Sequence, residues 1–136
     1  MKKAAKILLV DDDADDQLFF KDAMDELSDA RQFSIANNGL EALEQMKIPP
    51  PPDLIFLDLN MPVMNGYECL ARLKSLEKYK DIPVIIFSTS ANEMDIRRSR
   101  EMGAHLFFTK PANFNVLCSK LEKILDMDFS QLQFTV

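Results

Sequence analysis

Four stretches of this chain are short, almost wholly apolar, and end abruptly on residues that carry chemistry. Ile7-Leu-Leu-Val10 runs into Asp11, Asp12 and Asp13, and Asp53-Leu-Ile-Phe-Leu leads into Asp58. Val84-Ile-Ile-Phe87 runs into Ser88, Thr89 and Ser90, and Leu106-Phe-Phe-Thr109 ends in Lys110-Pro111. A fifth stretch, Gln32 to Ala36, alternates polar and apolar positions as a half-covered strand does. Between these runs the apolar spacing changes to that of helices. Leu18, Phe20, Met24 and Leu27 predict a helix over 14–28, and Asn37-Asn38-Gly39 launches a short one through Leu40, Leu43 and Met46. The prolines Pro49 to Pro52 stop it, because each lacks the N–H that a helix needs. Asn65-Gly66 opens a third helix carrying Tyr67, Leu70, Leu73 and Leu76 and ending near Lys80, and Pro83 starts the next strand. Asn92 caps a fourth helix to Met102 with Gly103 as terminator. Phe114, Leu117, Leu121, Ile124 and Leu125 mark the fifth, and the tail from Asp128 to Val136 has no assignment.

Strands that are apolar throughout and alternate with helices predict an α/β fold: a five-stranded parallel sheet covered on both faces, doubly wound as a flavodoxin-like (βα)5 three-layer sandwich. Periodicity alone does not fix the strand order. In open sheets of this kind a site forms outside the carboxyl ends of the strands, where the winding reverses, and Asp11, Asp12, Asp58, Ser88 and Lys110 all fall at such ends.

Composition narrows the classes. At 136 residues the chain fits one domain of ordinary size. Its apolar share of 47% and charged share of 28% are those of a soluble globular protein, and no apolar run has the length of a bilayer span. The net charge of −6 argues against a nucleic-acid partner, whose phosphates call for clustered Lys and Arg. Basic residues open the chain, but a short strand and then acids follow, so no secretory signal is read and the expected location is cytoplasmic. Cys69 and Cys118 lie far apart and in no metal-ligand spacing, which predicts reduced thiols in helices.

Carboxylates gathered at one sheet edge repel each other until a proton or a cation is taken up. With His105 the single histidine, the available ligands are oxygens, which favours Mg²⁺ or Mn²⁺ over Zn²⁺. Asp12, Asp58 and an incoming phosphoryl group suit Mg²⁺, and a carboxylate beside a metal and an ammonium can attack phosphorus to give an aspartyl phosphate. On this reading Lys110 pairs with Asp58 at rest and with a phosphoryl oxygen afterwards, while Ser88 donates its hydroxyl to another. Taken singly these residues have plainer uses. Acids at 11–16 suit a solvated helix start, any of Ser88, Thr89 and Ser90 can cap the next helix, and Arg97, Arg98 and Arg100 can form a solvated face.

The motifs I-L-L-V-D-D-D at 7–13, L-D-L-N-M-P-x-M-N-G at 57–66, P-V-I-I-F-S-T-S at 83–90 and G-A-x-x-F-F-x-K-P at 103–111 together resemble the receiver domains of two-component response regulators. Within that family the chain looks like the small stand-alone regulators related to those of phytochrome-type kinases. The resemblance implies a receiver domain over 5–127 followed by a tail, 128–136. It makes Asp58 the phosphoacceptor, Asp11 and Asp12 the acidic pair that holds Mg²⁺, and the backbone carbonyl of Asn60 a further ligand. Ser88 becomes the switch hydroxyl and Lys110 the conserved-type lysine. Phe107 matches the aromatic switch position, often Tyr in the family, and lacks the hydroxyl. The resemblance also implies a cis bond between Lys110 and Pro111.

Partners implied in the same way are a sensor histidine kinase or phosphotransfer protein, and a second copy docked through the fourth helix, fifth strand and fifth helix, with no nucleic acid and no membrane. About ten residues follow the last helix, too few for an effector domain, so output is expected through protein contact. The chain is expected to act as a signalling receiver that catalyses its own phosphorylation and slow dephosphorylation, not as an enzyme. A phosphatase of the haloacid dehalogenase type would need a second acid two residues after the nucleophile, where Asn60 stands. A P-loop is missing, and a phosphorylation-independent binding module would have no use for the full acid, hydroxyl and lysine set.

Overall fold

A computed structural model describes residues 5–27 and 31–129. Position 28 of the first expected helix and the tail from 130 lie outside them. Five strands form, β1 (Lys6–Val10), β2 (Gln32–Ala36), β3 (Leu54–Leu57), β4 (Val84–Ser88) and β5 (Leu106–Thr109). They alternate with α1 (Ala14–Glu26), α2 (Gly39–Met46), α3 (Gly66–Ser75), α4 (Glu93–Glu101) and α5 (Phe114–Leu125). All the strand pairs are parallel and the order is β2-β1-β3-β4-β5, so the winding reverses between β1 and β3.

Period-two geometry sends alternate side chains of each strand to opposite faces. Leu8, Val10, Ile55, Leu57, Val84, Ile86 and Phe107 pack with Ala42 and Met46 of α2, Cys69, Leu70 and Leu73 of α3, and Ile96 of α4. On the other face Ile7, Leu9, Leu54, Phe56, Ile85, Phe87, Leu106 and Phe108 meet Phe20, Ala23 and Met24 of α1 and the Leu117, Leu121, Ile124 and Leu125 stripe of α5. Because both faces are covered, β1, β3, β4 and β5 read as nearly continuous apolar runs, while the edge strand β2 keeps polar positions at Gln32 and Ser34. Phe20 anchors its layer, with ring centroids 5.0 Å from Phe56, 5.4 Å from Phe87 and 5.5 Å from Phe33.

Side-chain caps set the helix starts. Asp13, Asn38, Asn65, Asn92 and Asn113 each accept from a backbone N–H of the first turn, and Asn65 with Glu68 completes a capping box. Gly103 follows α4 at φ +100°, a left-handed conformation that a side chain would strain. Cys69 and Cys118 are free thiols in α3 and α5, packed on opposite faces of the sheet.

Several expectations need correction. Leu18 is exposed, since the buried stripe of α1 runs through Phe20, Ala23 and Met24; Leu40 and Leu76 are exposed as well. The third helix stops at Ser75 and does not run to Lys80. Leu76 turns extended at φ −98° and ψ 122°, and the Lys74 ammonium donates to the carbonyls of Lys80 and Ile82, holding 77–82 as turns beside the helix end. The Lys110–Pro111 bond is not cis; the cis bond among the described residues joins Pro49 and Pro50. For an X–Pro bond the two forms differ by only about 0.5–1 kcal/mol in favour of trans, so local context decides and the dipeptide alone does not.

Candidate functional site

Sheet register builds the site. Val10 pairs with Leu57, so the residues that follow them, Asp11 and Asp58, leave adjacent strands side by side. The Asp58 N–H donates to the Val10 carbonyl at 2.9 Å, and the Asp11 N–H to the Ala36 carbonyl at 3.0 Å. Asp11 is fully buried and Asp58 only 7% exposed, whereas Asp12 faces solvent. One carboxylate oxygen from each of the three lies within 4.8 Å of the others. Among the described residues this cluster is a set of hard oxygen donors with no nitrogen or sulfur, which suits a hard divalent cation.

Lys110 enters from the end of β5. Its Nζ lies 2.7 Å from Asp11 Oδ2, 2.7 Å from Asp16 Oδ2 and 3.8 Å from Asp58 Oδ2. The resting pairing expected with Asp58 is therefore the longest of three, and the two short contacts are to Asp11 and Asp16. Sequence position gives no sign of this role for Asp16, which lies in the first turn of α1 and meets a lysine 94 residues away. The other acids divide their tasks: Asp13 caps α1, and Asp11 Oδ1 accepts from the Asp13 N–H at 3.0 Å.

Ser88 ends β4, fully buried, and its backbone carbonyl accepts from the Lys110 N–H at 2.7 Å. Its Oγ accepts from the Ser90 N–H at 3.3 Å. Thr89 faces solvent, and Ser90 Oγ accepts from the Asn92 amide. Asn60 is exposed in the loop after Asp58, and its backbone N–H, with that of Leu59, acts to lower the Asp58 carboxyl's pKa. Phe107 is buried in the layer beneath α2–α4, with no hydroxyl to offer the site. Pro111 follows Lys110 as a trans residue at the site's edge.

One ammonium among four carboxylates leaves the site short of positive charge. Burial raises the Asp58 carboxyl to about 6; Lys110 pulls it down, Asp11 pushes it up, and the Asn60 and Leu59 N–H groups pull it down. Burial also raises Asp11, against the Lys110 hydrogen bond and the Asp13 N–H. Burial alone would lower Lys110, but hydrogen bonds to Asp11 and Asp16 and the Asp58 charge carry it above its ordinary value. A carboxyl whose proton is held more tightly in the folded chain stabilises it at acid pH and loses that contribution as pH rises. Lys110 stays charged throughout the same range. Without divalent cation, the contribution of Asp58 is expected to be present below about pH 4 and lost as pH climbs through about 6, roughly 3 kcal/mol in all. Thermal unfolding in EDTA across that range checks it; a Tm that rises steadily from pH 4 to 7 would contradict the sign.

Comparison with known proteins agrees with this geometry. The model of the response regulator receiver domain matches residues 7–122. Response regulator Rcp1 of Synechocystis sp. is 32% identical over 124 residues, covering 87% of this chain and 84% of that protein. Among solved structures, the phosphorylated cyanobacterial phytochrome response regulator RcpA superposes with a TM-score of 0.81 at 34% identity, covering 91% of each chain. The Mn²⁺-bound form of Rcp1 superposes with a TM-score of 0.81 at 31% identity, covering 93% of this chain and 97% of that one. With a five-stranded parallel sheet and the receiver-domain model spanning residues 7–122, this chain belongs to the response regulator receiver domain family.

Proposed function

We propose that the chain is a phosphorylation-activated signalling receiver. It takes a phosphoryl group from a histidine kinase, or from the histidine of a phosphotransfer protein, onto Asp58 in an Mg²⁺-dependent reaction that Mn²⁺ also supports. The observation that carries this reading is the meeting of Asp11, Asp12 and Asp58 within 4.8 Å, with Lys110 among them. Structures of relatives described as phosphorylated and as Mn²⁺-bound lend it support.

Asp11, Asp12 and Asp58, with the Asn60 carbonyl, would hold the cation. When bound, the cation neutralises the crowded carboxylates and the phosphoryl oxygens while leaving Asp58 unprotonated. An Asp58 oxygen then forms a bond to phosphorus as the phosphorus–nitrogen bond to the donor histidine breaks, and the imidazole leaves. Lys110 shifts toward one phosphoryl oxygen and the Ser88 hydroxyl donates to another, so that charge is met on each side. Asn60 has no acidic proton, and the acyl phosphate is left to slow hydrolysis. The product is the modified chain itself, which makes it a signalling protein and not a turnover enzyme.

We assign the receiver to 5–127 and the tail to 128–136. Among the described residues no helix is long and apolar enough to cross a membrane. We place the chain in the cytoplasm, and its negative net charge disfavours a nucleic-acid partner. Incubation with acetyl phosphate and Mg²⁺, read by intact-mass spectrometry, tests the function. One added phosphoryl group is expected, and an unchanged mass would refute it.

The same reading places output on α4, β5 and α5, where a second copy can dock. Beryllofluoride with Mg²⁺ is expected to raise the sedimentation coefficient at tens of micromolar chain. Identical sedimentation with and without it would remove the homodimer from the account.

A further inference from the structure

We infer that Tyr67 is a positioning residue for the Ser88 hydroxyl, acting through Asp95, Asn92 and Ser90. This rests on the phosphoryl-receiver reading above, in which Ser88 meets the phosphoryl group.

A chain of hydrogen bonds leads from the site to Tyr67 in the first turn of α3, where its ring packs half-buried against the core. The Ser88 Oγ accepts from the Ser90 N–H at 3.3 Å, and Ser90 Oγ accepts from Asn92 Nδ2 at 2.9 Å. The other hydrogen of that amide goes to Asp95 Oδ2, also at 2.9 Å, while Asn92 Oδ1 takes the Asp95 N–H at 2.8 Å as the cap of α4. Asp95 Oδ1 accepts from the Tyr67 hydroxyl. Across the Tyr67 ring lies the Arg98 guanidinium, 3.8 Å from the centroid, which stops the ring from swinging away. Burial and the Asp95 hydrogen bond push the Tyr67 phenol above its ordinary range, so it stays a donor at any working pH.

The position of Tyr67 gives the relay its leverage. It follows Gly66, whose N–H donates to the Leu59 carbonyl at 2.9 Å and where a Cβ would lie 2.2 Å from the Asp58 carbonyl oxygen. The loop after Asp58 and the loop after Ser88 leave adjacent strands, last paired at Leu57 and Ile86. The sheet places the Ser88 backbone, and beyond that pair the relay ties the loop after Ser88 to the start of α3 and orients the Ser88 hydroxyl. Phe107 supplies no hydroxyl, so this part of the coupling is carried by side chains of α3 and α4. When Ser88 donates its hydroxyl to a phosphoryl oxygen, its Oγ still accepts from the Ser90 N–H, so the relay holds the hydroxyl in place as it engages the phosphoryl group.

A double-mutant cycle on phosphoryl uptake from acetyl phosphate tests the coupling. Tyr67→Phe keeps the ring under Arg98 and is expected to slow uptake by about five-fold, part of the worth of one charge-assisted hydrogen bond. In a Ser88→Ala chain the same substitution is expected to add no further slowing. Slowing of equal size in both backgrounds, or none in either, overturns the inference.

A second readout is independent of phosphorylation. The chain has no Trp and two Tyr, so in a Tyr79→Phe chain the emission comes from Tyr67 alone. Adding Ser88→Ala to that resting chain is expected to change the Tyr67 emission by freeing the Ser90 N–H. Unchanged emission overturns the relay whether or not the chain takes up phosphoryl, whereas a wild-type chain that gains no mass refutes the receiver reading instead.

Discussion

Asp58→Asn is expected to take up no phosphoryl group and, at pH 7 without divalent cation, to unfold at a higher temperature than the parent chain. Asparagine keeps the shape of the side chain and a carbonyl oxygen for the Leu59 and Asn60 N–H groups, but it offers no carboxylate to attack phosphorus. The gain in stability follows from crowding. Burial holds the Asp58 carboxyl at about 6, so at pH 7 it is ionised at a cost the amide does not carry. Lys110 still has Asp11 and Asp16 at 2.7 Å, so removing its longest contact forfeits little. The expected stabilisation is about 2 kcal/mol, a Tm rise of several degrees for a domain of this size. It should shrink toward pH 4, where the parent carboxyl is itself protonated, and Mg²⁺ should raise the parent Tm more than that of the variant. A variant less stable than the parent at pH 7, or one that still gains a phosphoryl group on this site, would contradict the electrostatic account.

Gly66→Ala is expected to cost about 3 kcal/mol, roughly 10 °C in Tm, and to impair phosphoryl uptake at temperatures where the chain stays folded. A Cβ there would lie 2.2 Å from the Asp58 carbonyl oxygen and 2.6 Å from Leu59 Cα. Both are backbone atoms, so no side chain can rotate away, and relief requires moving the loop that carries Asp58. The two losses therefore share one cause. Differential scanning calorimetry with an uptake time course checks both, and a variant within about 1 °C of the parent Tm would show that the loop can give way.

Much of this was legible in the sequence, for identifiable reasons. Buried parallel strands need no polar alternation, so Ile7–Val10, Val84–Phe87 and Leu106–Thr109 stand out as apolar runs, and the residue types at their ends mark the edge of the sheet. Caps such as Asn92 and the terminator Gly103 are local signals that need no tertiary knowledge. What could not be read depended on distant packing. Nothing near Asp16 shows that it will meet Lys110, because that contact needs α1 and β5 in place. Within the acid run from Asp11 to Asp16, the split into a buried member, an exposed member, a cap and a lysine partner is set by where β1 ends and α1 begins. Leu18 has helical spacing but falls off the stripe that faces the sheet, and the end of α3 at Ser75 is enforced by Lys74 contacts to carbonyls beyond it. The trans Lys110–Pro111 bond belongs to the same class, a near-balanced choice that the surrounding fold makes.

The central claim is that Asp11 and Asp12 hold a divalent cation so that Asp58, and no other acid, captures phosphorus. Borohydride reduces an aspartyl phosphate to homoserine, and peptide sequencing by mass spectrometry then reads which position carried it. After acetyl phosphate and Mg²⁺ the account predicts homoserine at position 58, and none when EDTA replaces the cation. Homoserine at 11, 12, 13 or 16, or at 58 without any divalent ion, would contradict it.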